Sequence, residues 1–130
     1  MRDSSVGNAR VAWDSAPKMA KLDWDREQRA ARMRARGSIP HWIDPSAVSY
    51  GDRRKVEAYL EPMVALLDEF SAMSRTQRGQ REGEFKHRLG KLKHEALTKA
   101  IELDNNTAQG LLAQRAQIVM ERFGELAAGQ

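Results

Sequence analysis

From Asp52 onward, apolar residues recur every three or four positions. Val56, Tyr59, Met63, Leu66, Phe70 and Met73 form one stripe, and Leu60 and Leu67 widen it. That spacing matches the 3.6-residue turn of an α-helix with one buried face. Ser49 or Asp52 can cap its start. Pro62 lies two turns in, where it lacks an N–H for the helical ladder, and predicts a kink or a break that opens a second segment. The same period returns at Phe85, Leu89, Leu92, Ala96, Leu97, Ile101 and Leu103, predicting a helix that ends at Asp104. It returns again at Leu112, Ala116, Val119, Phe123 and Leu126, with Asn106 as N-cap and Gln109 three residues on. Asn105-Asn106 makes a short turn, so the last two helices are expected to pair as an antiparallel hairpin. The intervening SRTQRGQREG, residues 74–83, has two glycines, three arginines and no apolar residue, and reads as a flexible basic loop.

The N-terminal part has a weaker pattern. Residues 1–15 show no period and read as an extended arm. A first helix is expected over 16–36, with Ser15 as N-cap, Pro17 in its first turn and Gly37 just past its end. Its apolar residues are few: Met19, Ala20, Trp24, Ala31 and Met33. Such a helix must lie on another element or another chain. Residues 37–51 carry Pro40 and Pro45 around Trp42, and proline disfavours helix at its own position and the one before. They read as a connector pinned to the core by Ile39, Trp42, Ile43 and Val48. The expected fold is therefore all-α: an arm (1–15), a basic helix (16–36), a Trp/Pro connector (37–51) and a helical bundle (52–130) in which a kinked helix packs on a C-terminal hairpin.

Composition narrows the function classes. With 130 residues and 41% hydrophobic positions, the chain supports one modest core. It has no cysteine, which removes disulfides, thiolate metal sites and cysteine nucleophiles together. No apolar run reaches the roughly 18–20 residues of a membrane span, and the first residues lack the apolar core of a secretory signal. The expected location is cytoplasmic at synthesis, with incorporation into a virion as an extension of the assembly reading below. The formal charge is +4 and the isoelectric point about 9.7, with arginine supplying most of the positive charge.

Candidate chemistry is sparse. Gly79, Gly83 and Gly90 lack the Gly-Lys-Ser/Thr neighbours of a phosphate loop, and no strand precedes them for a dinucleotide fold. Glu84 and His87 share a helix face with His94, but a helical dinuclear metal site needs a second such motif. His41 and Asp44 have no matching nucleophile or oxyanion donor. No cofactor, metal or catalytic role is implied, and the chain reads as a non-enzyme. Residues 36–44 resemble the lead-in before the catalytic motif of phage-type HNH nucleases, but a helix follows in place of paired histidines. Residues 93–127 resemble the junction between two tetratricopeptide repeats, which implies peptide binding. Asn105 replaces the usual proline, Arg115 replaces a small residue, and no second junction follows, so a plain hairpin is the working expectation.

The remaining signal is basic. Arg26, Arg29, Arg32, Arg34 and Arg36 crowd the first helix, and Arg78, Arg81, Lys86, Arg88 and Lys91 run through the loop into the next. These ten are the candidates for DNA or RNA phosphates. Trp13, Trp24 and Trp42 are the candidate anchors for a protein partner. The leading expectation is a non-enzymatic assembly subunit of a larger, bacteriophage-like virion or packaging complex, oligomeric and held by its N-terminal arm. The alternative is a nucleic-acid-binding regulator or packaging protein.

Overall fold

A computed structural model of the chain describes residues 22–34 and 42–129. They form α1 (Trp24–Arg34), a short 3₁₀ turn (Pro45–Ala47), α2 (Tyr50–Ser71), α3 (Arg75–Thr98), a second 3₁₀ turn (Lys99–Glu102) and α4 (Asn106–Ala127). There is no strand among the described residues, and the helices pack on one another as an all-α fold.

Each long helix starts at a side-chain cap. The Asp52 N–H donates to Ser49 Oγ at 3.2 Å, fixing the start of α2. Ser74 and Gln77 form a reciprocal capping box at the start of α3, with distances of 3.2 and 3.1 Å. The Ala108 N–H donates to Asn105 Oδ1 at 2.9 Å and opens α4. Each cap satisfies a backbone donor that the helix itself leaves unpaired.

The core is built by α2, α3 and α4. Val56, Leu60, Met63 and Phe70 of α2, Phe85 and Leu89 of α3, and Leu111, Leu112 and Val119 of α4 are essentially excluded from solvent. Burying each contributes roughly 1.5–3 kcal/mol. Phe70 joins all three helices, its ring centroid lying 5.2 Å from that of Phe85 and 4.7 Å from that of Phe123, both tilted. The link between α2 and α3 is only residues 72–74, which turns α3 back along α2. Phe70 and Phe123 both lie near the C-terminal ends of their helices, so α2 and α4 run the same way with α3 reversed between them.

Several sequence expectations change. The segment 74–83 is helix, because the Ser74–Gln77 capping box starts α3 there and Gly79 and Gly83 sit in open space on an exposed face. α2 starts at Tyr50 and runs through Pro62 without a break. The cap of α4 is Asn105 in place of Asn106, so Gln109 makes no capping box. α3 ends at Thr98, and 99–102 tightens to a 3₁₀ turn before extended Leu103. Of the helix expected over 16–36, the described residues show α1 starting at Trp24, and 16–21 lie outside them. Leu22 and Asp23 are non-helical, and the Asp23 carbonyl and carboxylate accept from Glu27 and Arg26 N–H at 2.9 and 3.3 Å. The arm 1–15, Ser15, Pro17, Arg36, Gly37 and Ile39 lie outside the described residues.

The capping box gives a direct test of the helical 74–83 segment. Ser74→Ala should lower unfolding stability by about 1 kcal/mol, read as a shift of the urea midpoint at constant slope. An unchanged midpoint would mean that the segment is the loop its glycines suggest.

Candidate functional site

α4 has two working faces. Its inner face fills the core, and its outer face receives the chain that precedes the bundle. At the N-terminal end of that outer face, Gly110 brings the helix backbone against the Ile43 side chain, whose Cδ1 occupies the space a Cβ at 110 would need. One turn on, Gln114 grips the Ile43 backbone: its Oε1 accepts from Ile43 N–H and its Nε2 donates to Ile43 C=O, both at 3.0 Å. The connector is held here as an extended strand would be, by one amide side chain satisfying both of its polar backbone groups. Asp44 then folds over Ser46, accepting from its N–H and hydroxyl at 2.9 Å each, and the Ser46 N–H holds the Asp44 carboxyl below its usual pKa.

Next along α4 stands Arg115, 3% exposed. Its Nε and Nη2 donate to Gln28 Oε1 of α1 at 3.2 and 3.1 Å, and its Nη1 lies 3.6 Å from the Glu57 carboxylate of α2. Its guanidinium also lies 4.9 Å from the Trp24 ring centroid. Burial pushes the Arg115 pKa down, and the Glu57 carboxylate opposes that shift. An arginine remains charged in a protein, so this is a buried cation shared by three helices. Gln28, itself 5% exposed, has its amide orientation set by Arg115, which leaves its Nε2 without an acceptor. Beyond Arg115, Ile118 of α4 and Ala31 of α1 are buried outside the main core cluster. At the far end Arg34 donates to Glu121 at 3.1 Å and lies 4.0 Å from Glu125. α1 thus lies along α4 in the same direction, held by these polar contacts together with the packing of Trp24 at the core's edge and the burial of Ala31.

The candidate phosphate-binding arginines separate into engaged and free groups. Arg34 is tied to α4, and Arg26 pairs with Glu27 at 3.8 Å. Arg78 turns inward, donating to the Met73 and Ser71 carbonyls at 2.7 and 3.5 Å, where it caps the end of α2. Arg81 and Arg88 share Glu84, at 2.7 and 3.5 Å, and lie 5.0 and 5.1 Å from the Phe85 centroid. The Arg81 contact holds the Glu84 carboxyl below its usual pKa. No cluster of three or more metal-ligating side chains occurs among the described residues. Arg29 and Arg32 on α1, and Lys86 and Lys91 on α3, are exposed and make no ion pair with a described residue. Arg36 and Trp13 lie outside the described residues.

Of the candidate anchors, Trp24 stacks on its own chain's Arg115. Trp42 is half-buried and lines a shallow cleft with Gln28, Arg29, Arg32 and Asp44. Sequence reasoning did not pick out Gly110, Gln114, Gln28 or Glu57. Arg115 did carry a signal, since it interrupts the apolar run between Leu112 and Ala116, where a charge needs a buried partner.

The architecture is a three-helix bundle with a fourth helix docked on its last member. The chain matches no known protein-family model, no characterised protein and no solved structure. No described helix is long and apolar enough to cross a membrane.

Removing the Arg115 side chain tests whether α1 docks as a separate unit. In Arg115→Ala, amide exchange over 24–34 should accelerate tenfold or more, on the order of the 1–3 kcal/mol lost when a buried polar partner is removed. Exchange over 56–70 and 108–126 should stay slow. Equal acceleration in both regions would place Arg115 in the global core.

Proposed function

We propose that this protein is a non-enzymatic assembly subunit in which the bundle is the body and the N-terminal segment is the attachment element. The observation that carries the reading is the construction of the α1 dock. Most of the core comes from α2, α3 and α4, and α1 fully buries only Gln28 and Ala31, with Trp24 packed at the core's edge. A helix held at the edge of that core by Trp24, one buried arginine and a terminal ion pair is suited to presentation outward. Its outer side exposes Arg29, Arg32 and Met33, the last 68% exposed.

The partner class that fits is another protein subunit, identical or different. Small size, lack of cysteine and a basic N-terminal segment fit a component of a bacteriophage-like virion or packaging complex, a setting proposed by analogy of class. The rigid bundle provides a fixed frame from which α1, and the 23 residues before it, reach a neighbour.

Molar mass in solution tests this reading. The full chain should scatter light as a multiple of 14.7 kDa that grows with concentration, and removal of residues 1–23 should return it to a monomer. A full-length chain that stays monomeric at high concentration would count against assembly through the N-terminal segment.

A further inference from the structure

α3 carries an excess of charge that the rest of the fold does not use. Between Arg75 and Thr98 there are seven lysines and arginines and three glutamates, a net of +4 that equals the charge of the whole chain. Arg78 is committed to the end of α2, and Arg81 and Arg88 are partly neutralised by Glu84. Lys86, Lys91 and Lys93 make no ion pair with any described residue. The helix buries only Phe85, Leu89 and Ala96, and no residue from 75 to 84 is buried. Most of a 24-residue helix therefore faces outward.

The shape of this face is also unusual. At about 100° per residue, Gly79, Gly83 and Gly90 fall within roughly 40° of one another on the exposed side. A Cβ at any of the three would meet nothing within 4 Å, so no contact inside the protein requires glycine there. Each glycine weakens the helix relative to alanine. Lys86 and Lys93 project to one side of this low strip, and Lys91 to the other. His87 and His94 lie on the strip's Lys91 side, and Glu82 and Glu95 stand at its margins.

We infer that the outward face of α3 docks on the phosphate backbone of duplex DNA, with the lysines contacting phosphates and the glycine strip allowing close approach. Charge complementarity selects a polyanion and disfavours a second copy of the same face, because like charges would oppose each other. Duplex DNA fits the dimensions. The helix is about 36 Å long at 1.5 Å per residue, and the major groove, roughly 12 Å wide, admits an α-helix. Cations on both flanks of the strip can then reach the phosphates on the two walls. The contacts are to backbone, so binding is expected without strong sequence preference. This surface is separate from the α1 dock, and its failure would leave the assembly reading intact.

The test is fluorescence anisotropy of a labelled 20-base-pair duplex with the full-length protein. With three phosphates neutralised by Lys86, Lys91 and Lys93, affinity should fall roughly 40-fold between 50 and 200 mM salt. Lys86→Glu, Lys91→Glu and Lys93→Glu combined should abolish binding at 50 mM salt while the circular dichroism spectrum is kept. A second variant, Gly79→Gln, Gly83→Gln and Gly90→Gln, should raise the melting midpoint by several degrees, about what improved helix propensity provides, and weaken DNA binding tenfold or more. No binding at 50 mM salt, or binding that survives the lysine reversals, overturns the proposal. Undiminished binding by the glutamine variant overturns docking through the glycine strip. Equal affinity for a poly-glutamate peptide also overturns it, since that would identify an acidic protein as the occupant.

Discussion

Phe70 is the contact on which the rest of the structure depends. It is fully buried, and its ring meets Phe85 of α3 and Phe123 of α4 at 5.2 and 4.7 Å. One side chain therefore sets the packing of three helices at the end where α2 turns into α3. Leu60, Met63, Leu111, Leu112 and Val119 continue the same core, to which the connector adds Val48 and against which Leu22, Trp24 and Ile43 pack.

α4 makes the attachment possible by keeping its two faces chemically distinct. Inward it presents Ala108, Leu112, Ala116 and Val119, all fully buried. Outward it presents a glycine that admits Ile43, an amide that pairs with the Ile43 backbone, a buried arginine and a pair of glutamates. Gln28, Glu57 and Trp24 together offset part of the cost of burying Arg115, whose Nη1 makes an ion pair to Glu57 but no hydrogen bond, and an arginine left without them would strongly destabilise its site. That dependence gives the dock its selectivity. A helix lacking an acceptor at position 28 and an aromatic ring at 24 would leave the cation unpaired.

The three bundle helices were legible because each carries its own apolar period, and Val56 to Phe70 needed nothing beyond spacing. The 74–83 segment was not, because two glycines and three arginines outweigh a cap in any local reading. The Ser74-x-x-Gln77 signal was present, and the capping box it forms starts the helix despite the propensity cost of Gly79 and Gly83. Asn105 and Asn106 are equivalent as letters, and only the backbone leading out of Leu103 selects the first as cap. The dock lay beyond local reading for a different reason. Gln28 and Arg115 are 87 residues apart, and Ile43 and Gln114 are 71 apart. Gly110 carries no local signal, because its neighbour Ile43 lies far away in sequence.

Charge count and charge availability are different quantities, and this fold separates them. Arginines close together in sequence meet different fates. Arg34 is matched by Glu121 and Glu125, Arg78 by backbone carbonyls, and Arg81 and Arg88 by Glu84. The lysines of α3 are not matched. Planar guanidinium groups fit the forked and stacked contacts of the interior and of the Phe85 ring, whereas flexible ammonium groups remain hydrated on the rim. Of the two basic stretches, the fold thus engages Arg34, Arg78, Arg81 and Arg88 and leaves exposed Arg29 and Arg32 on α1 and the lysines on α3.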